Sequence, residues 1–331
     1  MTESSHDRRT RGRQIRTPRK QKENRRGKKE LEDRDDASHD LRDGSELAPD
    51  PFVETEAVSD VRERVGHWLS VDRPVHLVGP TGCGKTALAL HVAAERDRPV
   101  VLVNGDASLG TADLVGEYGE RERYSVRDEF VRDVVKRTDI ERDRWVDNAL
   151  TTAVREGATL VYNEFSRTKP AANNVFLSMF EEGVLELPGK RGEDRSVDVH
   201  PEFRAIFTSN DAEYAGVHEP QDALLDRLVG VYLDYYDAET EREIVAARVE
   251  EADADQVETV VDAVRAVRAQ LDVTVGTRAA VMAAEAVAAL ERGDESADDD
   301  AVVQCCVDAM ASKTATRGEI EPLRETVQEV T

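Results

Sequence analysis

Residues 75–86 read VHLVGPTGCGKT. A short apolar strand, 75–78, runs into a glycine-rich turn, and a helical stretch follows from Thr86 to about residue 94. The turn, Gly79-Pro80-Thr81-Gly82-Cys83-Gly84-Lys85-Thr86, fits G-x-x-x-x-G-K-[ST], and strand–turn–helix is the context that makes this pattern a phosphate-binding loop. Glycines let backbone N–H groups curl around phosphate oxygens, and the helix that follows presents the positive end of its dipole. Lys85 is placed to neutralise the β- and γ-phosphates of ATP, and the Thr86 hydroxyl to ligate Mg²⁺. Cys83 occupies a variable position: it is read as a tolerated small residue, with redox control of the loop as the alternative.

Strand patterns recur on either side of the loop. Short apolar runs lie at 100–103, 159–162, 203–208 and 229–233, and helical spacings at 58–69, about 125–136, 145–155 and 174–182. Segments 184–187 and 197–199 flank a polar, glycine-containing turn and read as a hairpin. Strands alternating with helices predict a parallel five-stranded sheet with helices on both faces, the P-loop NTPase class. After residue 237 come four Ala/Val-rich helical stretches near 238–250, 256–270, 277–291 and 299–312, and a weaker one near 319–328. Asp237 and Thr277 are the candidate N-caps. The organisation expected is an α/β nucleotide-binding domain over 51–236 and a small helical lid domain with a tail over 237–331.

Polar residues at the strand ends carry the chemistry. The third strand ends in Asn163-Glu164. An Asp at the first position would help hold Mg²⁺; Asn163 keeps an oxygen acceptor and loses the charge. Glu164 is the natural base or polariser for the attacking water. The fourth strand ends in Thr208-Ser209-Asn210, where Asn210 can orient that water. Arg278, in Gly276-Thr277-Arg278, could fold down onto the γ-phosphate, and Arg227, in LLDRL, is a further arginine following the phosphate loop in order.

Composition narrows the setting. Of 331 residues 34% are charged, the net charge is −24, and Arg far outnumbers Lys. At ~1 M salt the Debye length falls to roughly 3 Å, so such a surface is screened yet stays hydrated. The balance reads as adaptation to a high-salt cytoplasm. Three cysteines, Cys83, Cys305 and Cys306, cannot build a disulfide framework and have no zinc-like spacing. No apolar run approaches the ~18 residues of a membrane span, and Arg8-Arg9 lacks the apolar core of an export signal, so a cytoplasmic protein is expected. Residues 1–30 are basic and 31–50 acidic, without apolar periodicity, so disorder is expected over 1–50. The basic arm reads as a protein-docking segment or a solvated tail, with nucleic-acid binding disfavoured because phosphate contacts weaken steeply with salt.

The succession GPTGCGKT, LVYNEF, FTSN, LLDRL and GTR resembles AAA+ ATPases, in particular the MoxR-like branch, with its helix and β-hairpin between the second and third motifs. Residues 104–139 and 144–188 closely resemble the gas vesicle protein N family of halophilic archaea, a likeness covering about 51–290. The resemblance makes Lys85 and Thr86 the ends of Walker A. Glu164 becomes the Walker B glutamate, with Asn163 where its aspartate usually stands. Asn210 becomes sensor 1 and Arg278 sensor 2. Arg227 becomes an arginine finger reaching a neighbour's nucleotide, and Arg167 a second residue for that interface. It implies a homo-oligomeric ring, ATP and Mg²⁺, and ATP-driven remodelling during assembly of the gas vesicle, a buoyant protein shell. The implied partners are the accessory gas vesicle proteins O and L, the outer protein C and the shell protein A. Two readings stay open beside it: a MoxR-type chaperone acting on another complex, and a nucleotide-gated binding module that hydrolyses little, for which Asn163 is the main support. DNA remodelling rests on the basic arm alone.

Overall fold

The computed structural model of the chain describes residues 41–128, 136–210, 221–271, 273–291, 298–314, 318 and 320–331. The expected disorder over residues 1–40 lies outside the described residues. Residues 41–50, expected to belong to that arm, are instead folded. Helix α1 (Gly44–Leu47) is one turn capped by Asp43, whose carboxylate accepts from the Ser45 N–H at 2.9 Å. A Cβ on Gly44 would stand 2.6 Å from the Ala94 Cα, so the glycine lets this turn sit directly on the body. Arg42 pairs with Val100 in an antiparallel bridge.

Helix α2 (Glu56–Ser70) is capped by Thr55 and buries Val58, Val65 and Leu69 at helical spacing. Then come β1 (Val75–Gly79), α3 (Lys85–Ala94), β2 (Val100–Asn104), α4 (Thr111–Val115), β3 (Gly116–Asp128) and β4 (Lys136–Asp147). Next are α5 (Ala149–Glu156), β5 (Thr159–Asn163), α6 (Pro170–Asn173), α7 (Val175–Glu182), β6 (Val184–Glu186) and β7 (Ser196–Asp198). Strand β8 (Arg204–Asn210), α8 (Asp222–Leu225) and β9 (Val229–Tyr232) complete the α/β part. The helical part is α9 (Ala238–Arg248), α10 (Ala254–Gln270), α11 (Thr277–Glu291), α12 (Asp299–Ala311) and α13 (Ile320–Gln328).

Strands β2, β5, β8, β1 and β9 form, in that order, a five-stranded parallel sheet. Side chains alternate across it, as a strand period of two requires. Val75, Leu77, Val161, Ile206 and Val231 face one core with α2 and α3. Val101, Val103, Leu160, Tyr162 and Phe207 face a second core with α5 and α7. Both faces are covered, which is why these strands read as nearly unbroken apolar runs. The chain leaves β1 for β2 on one side and returns through β9 on the other, so β1 stands where the order reverses. In such sheets ligands bind outside the carboxyl ends of the strands at that point.

Of the helix expected at about 125–136, residues 125–128 and 136 are strand, and the rest lies outside the described residues. Residues 116–128 and 136–147 are an antiparallel ribbon pairing Tyr118 with Trp145, Tyr124 with Ile140 and Val126 with Thr138. The helical period rests largely on residues 130–135, which lie outside the described residues. The helix expected at 145–155 begins later, at Ala149, because 145–147 belong to the ribbon. The expected hairpin is present as β6–β7.

The helical part packs on its own core of small residues, Val260, Val264, Ala283, Ala284, Val287 and Val307 among them. Cys306 belongs to that core, and burial pushes its thiol up to about 12. Asp237 caps α9, accepting from the Thr240 N–H at 2.9 Å. Thr277 is not a cap: it is the first residue of α11, and its hydroxyl donates to Glu241 at 2.9 Å.

Candidate active site

The turn after β1 folds as a cradle. Gly84 has φ 93° and immediately precedes α3, a conformation costly to any residue with a Cβ. Lys85 is buried, and its ammonium donates back to the Gly79 carbonyl at 2.9 Å and the Pro80 carbonyl at 2.7 Å. The cation is thus held by the loop that it would serve. Burial raises the Cys83 thiol above its ordinary value, outweighing the nearby Lys85. That keeps it protonated and unreactive, in line with a small filling residue.

Three strands end in asparagine at the same rim. Asn104 pairs in register with Asn163, and Asn210 with Gly79. Asn163 Oδ1 accepts from Thr86 Oγ1 at 2.6 Å and from Thr208 Oγ1 at 2.8 Å. Its Nδ2 donates to Asn104 Oδ1 at 3.1 Å. Thr208 Oγ1 in turn accepts the Glu164 N–H at 3.0 Å. One hydroxyl therefore orients both residues at the end of β5. Glu164 itself sits at φ 52°, in the left-handed region, a strain of roughly 1–2 kcal/mol for a residue with a side chain. The neighbouring strand tip leaves it little choice: a Cβ on Gly105 would stand 2.2 Å from the Glu164 carbonyl oxygen. The Glu164 carboxylate is paired with Arg167 Nε at 2.6 Å.

A cleft of about 460 Å³ lies between this rim and the helical part. That is within the range of small-molecule sites. Its walls include the phosphate loop, Asn163, Glu164, Thr208 and Asn210 on one side and Ile244, Arg248, Thr277 and Arg278 on the other. Pro51, Phe52 and Val53 form a further, apolar wall. Phe52 stacks on His91 with ring centroids 3.7 Å apart.

Residues 74–228 match the family described as AAA domain (dynein-related subfamily). The chain is similar to the gas vesicle ATPase GvpN of Haloferax mediterranei, at 59% identity over 99% of this chain and 97% of that protein. It is similar in the same measure, 59% over 99% and 97%, to the gas vesicle ATPase GvpN2 of Halobacterium salinarum. The chain belongs to the gas vesicle ATPase family. In fold it is similar to a point mutant of Thermotoga maritima RuvB, with a TM-score of 0.51 and 16% identity over 78% of this chain and 71% of that one. This gas vesicle ATPase therefore binds and hydrolyses nucleotide.

The candidates read from the sequence fall into two groups. Gly79 to Thr86, Asn163, Glu164, Asn210 and Arg278 meet at the sheet rim and the cleft that it walls. Arg227 does not join them. It precedes β9, whose first residue pairs with Val75 at the start of β1, while the phosphate loop follows the end of β1. Its guanidinium is instead paired with Glu181. Sequence reasoning missed Asn104, Thr208 and Arg248. Asn104 carried the same signal as Asn163, a polar residue ending an apolar strand. Thr208 was seen as a strand tip without its two partners. Arg248 had no signal, because nothing local marks an arginine whose neighbours are brought by the fold.

A hard divalent cation wants oxygen donors. Thr86 Oγ1 and Asn163 Oδ1 supply two, 2.6 Å apart at the mouth of the cradle. Among the described residues there is no cluster of three or more His, Cys, Asp or Glu suited to a metal. A cation shared with phosphate oxygens needs no such cluster. Among the described residues no helix is long and apolar enough to cross a membrane.

Proposed function

We propose that this protein hydrolyses Mg²⁺-ATP slowly, as a ring, to promote the formation and enlargement of gas vesicles in a halophile's cytoplasm. Its 59% identity to gas vesicle ATPases over nearly the whole chain is the observation that carries the vesicle assignment. The linked array Thr86–Asn163–Thr208–Glu164 beneath the phosphate loop supports the chemistry. Residues 51–236 bind the nucleotide and residues 237–331 form its lid. The loop N–H groups and Lys85 hold the phosphates, with Lys85 leaving the Gly79 and Pro80 carbonyls to do so. Mg²⁺ held by Thr86 and, through water, Asn163 would neutralise charge on the β- and γ-oxygens. Asn210 orients the attacking water and Glu164 takes its proton. Arg278 meets the γ-phosphate from the lid. Arg227, turned away from its own cleft, supplies charge to a neighbour's site, with Arg167 at the same interface. The partners are the accessory proteins O and L, the outer protein C and the shell protein A.

A second reading is a nucleotide-gated module with little turnover. The Glu164–Arg167 pair favours it, since a carboxylate engaged at 2.6 Å is not free to activate water. Turnover measured in molar KCl, with and without the accessory proteins, separates the two. We expect Mg²⁺-dependent hydrolysis that the partners stimulate. Glu164→Gln should keep nucleotide bound and lose turnover by roughly 10²-fold or more. Vesicles formed at the normal level by Glu164→Gln would leave only the gated module.

A further inference from the structure

Glu241, on α9, is 1% exposed, and among the described residues it is the one buried carboxylate. Its Oε1 accepts from Arg268 Nη2 at 2.9 Å and from Thr277 Oγ1 at 2.9 Å. Its Oε2 accepts from Arg265 Nη1 at 2.7 Å and Arg268 Nη1 at 3.2 Å. Both oxygens are fully used. Helix α9 gives the carboxylate, α10 the two arginines and α11 the threonine. The same guanidiniums tie down the intervening chain: Arg265 Nη1 donates to the Tyr236 carbonyl at 3.0 Å, and Arg268 Nε to the Val275 carbonyl at 2.9 Å.

From there the contacts reach the phosphate loop. The Arg268 guanidinium lies 3.7 Å from the centroid of the Tyr235 ring. Tyr235 donates its hydroxyl proton to the Thr81 carbonyl at 3.0 Å. Backbone meets backbone alongside: a Cβ on Gly276 would stand 2.6 Å from the Gly82 Cα and 2.7 Å from the Thr81 oxygen. Thr277, held by Glu241, immediately precedes Arg278 in the cleft wall. A buried ion pair adds little stability over apolar packing of the same volume. What a carboxylate with four bonds supplies is a fixed geometry, and a planar guanidinium that both pairs and stacks extends it to the ring.

We propose that Glu241 is a positioning residue for ATP hydrolysis. Through Thr277 it sets the start of α11 and so the reach of Arg278. Through Arg268 and Tyr235 it holds that start in register with the Thr81 carbonyl. Glu241 touches no nucleotide; it acts through Arg278, and the proposal rests on the reading of Arg278 as the group that meets the γ-phosphate. ATP should then depend on Glu241 where ADP, lacking that phosphate, does not.

The test measures ATP and ADP affinity and kcat of the full chain in molar KCl. The variants are Arg278→Ala, Glu241→Gln, Tyr235→Phe and the double variant Glu241→Gln/Arg278→Ala. Arg278→Ala should lower ATP affinity about tenfold with ADP little changed. Glu241→Gln and Tyr235→Phe should each reproduce part of that loss, about fivefold, with the same indifference to ADP. In the double variant Glu241→Gln should add nothing, because both changes remove one action. Tyr235→Phe keeps the ring beneath Arg268, so it answers even if Glu241→Gln fails to fold. Equal losses for ATP and ADP, or losses that add in the double variant, overturn the proposal. If Arg278→Ala alone leaves the ATP preference intact, the reading of Arg278 falls and the proposal with it. If Arg278→Ala removes the preference while Glu241→Gln and Tyr235→Phe keep it, the proposal alone falls.

Discussion

Asn163 gives up a charge and gains a partner. Its Nδ2 donates to Asn104 Oδ1 at 3.1 Å, a bond that a carboxylate cannot make. In Asn163→Asp the Asn104 amide has to turn over and present its nitrogen, which the isosteric amide allows. The restored charge should lower the Mg²⁺ concentration giving half-maximal turnover; an unchanged Mg²⁺ dependence would refute this account of Asn163. His76, on β1, is buried with Nε2 2.8 Å from Ser209 Oγ and its ring edge-on to Phe165. Burial lowers its pKa from 6.5 to about 4. The folded imidazole stays neutral while the unfolded one takes up a proton. Its contribution is therefore whole above pH 6.5 and is lost as pH falls towards 4, by up to about 3 kcal/mol. Acid titrations of stability for the wild type and His76→Gln should differ in slope across that window and run parallel above it.

At the scale of elements, the rim works because neighbouring strands end level. Thr208, near the end of β8, accepts from Glu164 N–H and donates to Asn163, so it aligns the tip of β5. Thr208→Val keeps the shape and leaves that N–H unpaired, at a cost of about 1–3 kcal/mol. We expect a lower melting temperature and a kcat reduced more than nucleotide affinity; a kcat at the wild-type level would show that the strand tip needs no such brace. The inner strands were legible in the sequence because they are buried on both faces, and β2, β5 and β8 each close on an asparagine. The phosphate loop was legible because its chemistry is local. The ribbon was not, since a helical period spans the stretch between its two strands and masks their pairing with each other. Nor was the Glu241 hub, whose partners lie 24 to 36 residues from Glu241 and meet it only once three helices pack.

For the whole molecule, the position of Arg227 is informative. Each chain holds a complete cradle and one cation turned away from it, paired with Glu181. Mixed oligomers test this directly. Arg227→Ala and Lys85→Ala subunits should each be inactive alone, and mixing should restore part of the activity; absence of rescue would count against a cation supplied by a neighbour. With a net charge of −24, copies of the chain repel one another until salt screens them. The Gly82–Gly276 approach has a mechanical consequence as well. With no side chain on either partner, the point where the helical part touches the loop would serve as a fulcrum. Helix α11, at 15 residues, is an arm of about 22 Å. A tilt of about 10° there would swing its far end by roughly 4 Å. The exposed Met282 and Leu290 lie on that arm, so such a tilt, small at the phosphates, would be a stroke at the surface.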